Sequence, residues 1–131
     1  MKVIHQSGSR KTATARATLS PGNGIVRVNS KLLQTLPQGL FRYKIEEPLH
    51  LAGEVAKGVN INIPTLGGGT NGQAEAARLA IAKALAQHDK KLRETFLNYD
   101  RALLVADVRR KETHKPNCHG KARAMRQKSY R

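Results

Sequence analysis

The chain has no tryptophan, one cysteine and only nine acidic residues among 131. Each scarcity excludes something. With Cys118 alone, no internal disulfide can form, which fits a reducing compartment. The aromatic residues are Phe41, Tyr43, Phe96, Tyr99 and Tyr130. A platform for stacking single-stranded bases needs aromatics clustered on one sheet face, so base stacking is a poor fit. No apolar run approaches the roughly 20 residues of a membrane-spanning helix, and none near the N-terminus suits a signal peptide. A cytoplasmic location is the expectation. The carboxylates are few and scattered. Glu46 and Glu47 are neighbours, and adjacent residues diverge around a helix. No catalytic constellation emerges, so no enzyme is expected.

What the chain has in excess is positive charge. Lys and Arg number 24, for a formal net charge of +15 and a pI near 10.7. Residues 109–131 carry nine of these cations against one acid, Glu112. Met125 and Tyr130 are the only large apolar candidates there. Such a segment cannot bury enough surface to offset the entropy of ordering itself. It is expected to order only against a polyanion, and nucleic acids are the commonest inside cells. The segment lacks an amphipathic apolar face, so a membrane partner is not expected. Residues 1–108 suffice for one small domain, which is basic in its own right. Contacts to backbone phosphate are the natural mode for both parts.

The domain reads as mixed α and β. Lys2 to Gln6 suits a short strand. From Thr12 to Leu19, Ala13, Ala15, Ala17 and Leu19 alternate with Thr14, Arg16 and Thr18, the period of a half-buried strand. The turn-rich Ser20-Pro21-Gly22-Asn23-Gly24 leads to residues 25–28, so a hairpin is predicted. Its outward face would hold Arg16 and Arg27, either facing phosphate or simply solvated. Residues 31–36 suggest a short helical turn, and 39–51 a helix that Pro48 should disturb. Val59, Ile61 and Ile63 alternate in another strand, stopped by Pro64. Residues 74–88 form the best helix, with Thr70 and Gln73 spaced as a capping box. A shorter helix is expected over 91–98, and a short apolar run over 102–105.

Gly67, Gly69 and Gly72 satisfy G-x-G-x-x-G between a strand and a helix, the setting of a dinucleotide fingerprint. The supporting features are missing. Asp89 and Glu94 lie near the expected acidic position but at a helix end, and the rest of the chain is too short for a doubly wound sheet. Read as a phosphate loop, Gln73 replaces the lysine and Ala74 the hydroxyl. What remains is either an anion site at a helix N-terminus or, as favoured, a tight turn that needs glycine for backbone freedom. His114, Cys118 and His119 are three potential zinc ligands without a second cluster, so no metal is expected. Cys118 beside His119 lacks an oriented base, so it is no catalytic nucleophile. No cofactor or small-molecule substrate is expected.

The stretch Gly67-Gly68-Gly69-x-x-Gly72-Gln73-Ala74-Glu75-Ala76-Ala77-Arg78-x-Ala80-Ile81-Ala82-Lys83-Ala84-Leu85 resembles the signature of small-subunit ribosomal protein nine. Gly8-x-Arg10-Lys11-Thr12-Ala13-x-Ala15-Arg16, Glu47-Pro48-Leu49, Asp107-x-Arg109-Arg110-x-Glu112 and the ending Gln127-Lys128-Ser129-Tyr130-Arg131 also match that family. The ending, with His114-Lys115-Pro116-Asn117, looks archaeal or eukaryotic rather than bacterial. Asn117-Cys118-His119-Gly120 departs from the family's pattern, which is richer there in Gly and cations.

The resemblance implies an α+β fold, a two-layer α/β sandwich of the ribosomal protein S-five domain-two kind. It would have a four-stranded sheet, helices on one face and a left-handed βαβ crossover, against the usual rule. The domain, residues 1–108, would sit on small-subunit rRNA in the head, beside neighbouring head proteins. The tail, residues 109–131, would thread inward to P-site tRNA. Carried onto this chain, the rRNA contacts would be Arg10, Lys11, Arg16, Arg27, Arg78, Arg109, Arg110, Lys111, Lys115, Lys121, Arg123 and Arg126. The tRNA contacts would be Lys128, Tyr130 and Arg131. The alternative is a free-standing basic nucleic-acid-binding protein with a disordered arm.

Overall fold

The alternation over 13–19 becomes the central strand of the domain. The computed structural model describes residues 3–118. In it β1 (Ile4–Arg10) and β2 (Ala13–Pro21) form an antiparallel hairpin, turned by Lys11 and Thr12, with Gly8 opposite Ala15. Lys11 takes the left-handed conformation at φ 52°. Then follow β3 (Val26–Val28), β4 (Lys31–Leu32) and a 3₁₀ turn (Leu33–Thr35). The helix α1 (Leu40–Ala52) and the single turn α2 (Glu54–Lys57) lead to β5 (Val59–Ile63) and the two-residue β6 (Thr65–Leu66). The chain continues through α3 (Thr70–His88), α4 (Lys91–Tyr99) and a second 3₁₀ turn (Arg101–Leu103).

The sheet runs in the order β1-β2-β5-β3-β4, with β6 paired to β2. Its four strands of three or more residues are extended by the two-residue pieces β4 and β6. The predicted hairpin over 12–28 does not form. Strand β5 inserts between β2 and β3, antiparallel to the first and parallel to the second. Next-but-one strands lie roughly 9–10 Å apart, too far for a two-residue turn. Residues 22–25 bridge that gap, and Asn60 holds them there. Its Oδ1 accepts from the amides of Asn23 (2.9 Å) and Ile25 (3.0 Å). Strand β5 takes the inner place because Val59, Ile61 and Ile63 are all buried, the most apolar alternation available.

One face of the sheet carries the core. Ala13, Ala15, Ala17 and Leu19 point to the same side and meet Ala76, Ala77, Ala80 and Ala84 of α3. Small residues on both partners let helix and sheet approach closely. The closest approach is at Gly8, where a Cβ would lie 2.2 Å from the carbonyl oxygen of Ala76. Phe96 from α4 and Leu103 from the second 3₁₀ turn, both fully buried, extend this core. The helices therefore cover one sheet face.

Two further expectations differ in detail. Helix α1 continues through Pro48, whose ring is buried, so packing offsets the missing hydrogen bond. The capping box does not form. Gly69 is the N-cap of α3, and Gln73 instead donates to the carbonyl of Gly67 (3.1 Å) while accepting from Thr65 Oγ1 (3.3 Å). Gln73 lies beside the strand end, so its side chain pins the turn rather than the helix start. Residues 31–36 give a two-residue strand before the 3₁₀ turn, because Lys31 and Leu32 pair with Val28 and Arg27.

Candidate nucleic-acid interface

None of the nine acidic residues lies in a strand; all fall on helices, connections or the segment after residue 103. The uncovered face of the sheet is therefore free of carboxylates, with Leu66 and Leu32 exposed at its margins opposite Thr14 and Arg27. One row across it reads His5, Thr18, Asn62 and Arg27, residues brought opposite one another by strand register. His5 Nδ1 and Thr18 Oγ1 are 3.1 Å apart. Arg16 stands two residues from Thr18 on the same face, and its amide donates to the Pro64 carbonyl at 3.1 Å. Arg16 and Arg27 are both exposed and form no ion pair among the described residues. A shallow cleft of about 340 Å³ opens beside Arg27, lined by Thr18, Asn60 and Asn62 among others.

A second cluster forms where the β1–β2 turn meets the start of the tail. Lys11, Thr12, Arg109, Arg110 and Lys111 line one cleft of about 600 Å³, with four cations and no carboxylate in its wall. Arg110 Nη2 donates to Ser9 Oγ at 2.9 Å, fastening the tail to β1. The carboxylate of Asp107 is the main fastener. It accepts from the Arg109 amide (2.8 Å) and from Arg109 Nη2 (2.9 Å), and it pairs with Arg10 Nη1. Arg10 Nε in turn lies 2.9 Å from Glu75 of α3, whose other oxygen takes Lys44 Nζ of α1 at 2.8 Å. The Lys44 hydrogen bond holds the Glu75 carboxyl below its usual pKa, against the opposing effect of burial, with Arg10 and Arg78 adding to it. A continuous ionic chain thus runs from α1 through α3 and β1 to the tail.

Arg10 and Arg78 behave differently from the other expected RNA contacts. The side chains of Arg10 and Arg78 are only 19% and 15% exposed. Arg78 Nη2 donates to Glu47 (3.0 Å) and Asp100 (2.7 Å), while its Nε lies 2.5 Å from Glu47, off the N–H axis. Burial works to lower the Arg78 pKa, but the two carboxylates outweigh it and the net shift is upward. Asp100 is shifted down, first by the Ala102 amide that it caps and then by Arg78. Lys115 pairs with Glu112 at 2.5 Å and remains exposed. Lys121, Arg123, Arg126, Lys128, Tyr130 and Arg131 lie outside the described residues, as does His119.

The glycine loop acts as a turn. Gly67 and Gly68 have φ of 72° and 65°, and a Cβ on either would strike the β1–β2 turn, at 2.6 Å from the Thr12 carbonyl oxygen and 2.8 Å from Ala13 Cβ. Both the backbone and the space therefore require glycine. Among the described residues, no three His, Cys, Asp or Glu converge as a metal site, and no helix is long and apolar enough to cross a membrane. The sequence reading passed over Lys83, Lys90 and Arg93, which meet in one groove on the helical side. The available signal was the cation density over residues 90–93, split by helix geometry from Lys83.

Comparison with known proteins gives the family. The profile of the family described as "Ribosomal protein S9/S16" matches residues 8–131. The chain is 47% identical to "Small ribosomal subunit protein uS9" of Methanococcus vannielii, over 134 aligned positions that cover all of both chains. It is 46% identical to the protein of the same name from Methanococcus maripaludis strain C7, again with full coverage of both. With the match spanning its length, its carboxylate-free sheet and its basic tail base, the chain belongs to the ribosomal protein S9/S16 family.

Proposed function

We propose that this chain holds small-subunit rRNA through the domain of residues 1–108 and reaches P-site tRNA with the tail of residues 109–131. Family membership makes it a ribosomal protein, a structural component rather than an enzyme, located in the cytoplasmic ribosome. The observation that carries the RNA reading is the cleft lined by Lys11, Arg109, Arg110 and Lys111, where Arg109 is paired with Asp107 and no carboxylate lines the wall to offset the other three cations. Like charges gathered this closely repel, and phosphate relieves that repulsion while releasing its own counterions. Arg16 and Arg27 add a second set of phosphate contacts on the open sheet face. Arginine suits both places because its planar fork pairs with phosphate through two hydrogen bonds. Among the described residues no aromatic side chain lines either cleft, so the contacts follow backbone rather than base sequence.

Arg10 and Arg78 take a different part in this reading. They hold the domain and the tail base in position, and the free cations meet the RNA. The parallel pair β3 and β5, joined through α1, is read as the left-handed crossover of a two-layer sandwich, as the family resemblance implies. Lys128, Tyr130 and Arg131 are the proposed tRNA contacts, with Lys121, Arg123 and Arg126 along rRNA and neighbouring head proteins around the domain.

The test is a chain lacking residues 129–131. Subunits containing it should assemble normally and bind P-site tRNA more weakly. Unchanged tRNA affinity across a salt series would refute the tail assignment. A free-standing nucleic-acid-binding protein, the alternative, would wash off small subunits at high salt, whereas the full-length chain should co-sediment with them.

A further inference from the structure

The sheet face and the tail base leave one strongly charged surface unassigned. It is a groove of about 590 Å³ on the helical side, where Lys83 of α3, Lys90 just before α4 and Arg93 of α4 converge. No carboxylate lines it. The nearest acids in sequence point elsewhere: Asp89 Oδ1 accepts from the Lys91 amide, and Glu94 follows Arg93 by about 100° around α4. Ala86 and Leu104 give the groove an apolar floor. Its side wall is fixed by Gln6 Nε2 donating to Gln87 Oε1 at 2.7 Å.

We infer that this groove is a second binding site for an RNA sugar–phosphate backbone, on the opposite layer of the domain from Arg16 and Arg27. Gln6 and Gly8 share the side of β1 that faces α3, whereas His5 faces the open sheet. The two cationic surfaces therefore look in opposite directions, and the domain can bridge two RNA segments instead of resting on one. Two features select a phosphate backbone over an acidic peptide. The Gln6–Gln87 bond uses one amide donor and one acceptor, and the remaining Gln87 N–H groups stand beside the cations as further donors to phosphate oxygens. Lys83 Nζ also donates to the Ser7 carbonyl at 3.3 Å, which obstructs strand addition at the exposed edge of β1. The inference rests on the proposal that the chain sits on rRNA.

The experiment compares chemical modification of the wild-type chain free and within assembled small subunits. Lysines are acylated, arginines are treated with a glyoxal reagent, and sites are read by mass spectrometry. Lys90 and Arg93 should react about tenfold more slowly in the subunit, since a phosphate-covered cation is shielded from reagent. Nuclease digestion of the subunit RNA should restore their reactivity. Equal reactivity in both states would overturn the inference, and so would protection that survives complete digestion, which would indicate a protein neighbour. Lys11 and Lys111 serve as internal controls. If they are protected while Lys90 and Arg93 are not, only the second site fails. If none is protected, the rRNA reading fails with it.

Discussion

Arg78 and Arg16 carry the same side chain on opposite layers of one small domain, and their surroundings give them opposite tasks. Arg78 lies on α3 between Glu47 of α1 and Asp100 beyond α4, largely shielded from water. Arg16 lies on a strand face that has no acidic residue at all. The helical layer holds acids that neutralise Arg42 and Arg78, so those arginines act as ties, and the groove at Lys83, Lys90 and Arg93 escapes them. The open face of the sheet leaves Arg16 and Arg27 unpaired, so their charge is available to a partner, whereas Arg10 at the end of β1 is held by Glu75 and Asp107. In a chain of +15, what separates paired from unpaired cations is the placement of nine acids rather than the placement of 24 bases.

Arg78→Ala should produce the largest effect. It leaves two carboxylates close together without their counter-charge. Charge-assisted hydrogen bonds contribute about 1.5–3 kcal/mol each, and the partners are partly solvated, so a loss of about 2–3 kcal/mol is expected. Denaturant unfolding of the full-length chain measures it. RNA affinity per folded molecule should stay near wild type. A tenfold weaker affinity with unchanged stability would break the contrast between the layers.

Acid should act next, and on the helical layer alone. Glu75 and Asp100 have folded pKa values below their ordinary values of 4.5 and 3.8. Their contribution to stability is therefore complete above those unfolded values and is lost as pH falls through the lower folded ones. In that window the unfolded chain binds more protons, so stability drops with pH. A pH series of unfolding midpoints should show the loss beginning below about pH 5. Arg78→Ala should reduce the Asp100 part of that dependence while the share due to the Ala102 amide remains, and Lys44→Met should remove the largest share of the Glu75 part.

Replacing Arg16 and Arg27 together by Ala should have the smallest effect on folding, within about 0.5 kcal/mol, as for exposed positions in general. It should instead lower RNA affinity in a salt-dependent way. Each lost phosphate contact removes roughly 0.7–0.9 from the slope of log affinity against log salt, so the double variant should lose about 1.5. An unchanged slope would mean that the sheet face is merely solvated.

Much of the fold was legible because it depends on neighbours in sequence. The buried alternation of Ala13 to Leu19 and of Val59 to Ile63 follows from a period of two, and α3 follows from alanine-rich composition at helical spacing. The glycine loop was legible as a turn, and the structure adds that Gly67 and Gly68 are pressed against Thr12 and Ala13. The partner of β2 was not legible. Ser20 to Gly24 looks like the turn of a hairpin, yet β5, some 40 residues later, takes the adjacent place. Strand pairing is decided by which apolar stripe best fills the centre, and that competition is not local.

The candidate site divides along the same line. Sequence alone determined the size and sign of the charge, the carboxylate-poor strands, the basic tail and the resemblance to a ribosomal family. It also placed Arg16 on the outer side of its strand, because the period of two allows no other choice once the alanines are buried. Only the tertiary structure decided that Arg10 and Arg78 are held by Glu75, Asp107, Glu47 and Asp100, and that Lys11 stands beside Arg109 to Lys111. It also gathered Lys83, Lys90 and Arg93 from two helices and the link between them into one groove. The physical reason is that a cation's task depends on the charges within a few ångströms of it. Arg78 finds its counter-charges 31 and 22 residues away in the chain, brought to hydrogen-bonding distance by the packing of α1 and the second 3₁₀ turn against α3.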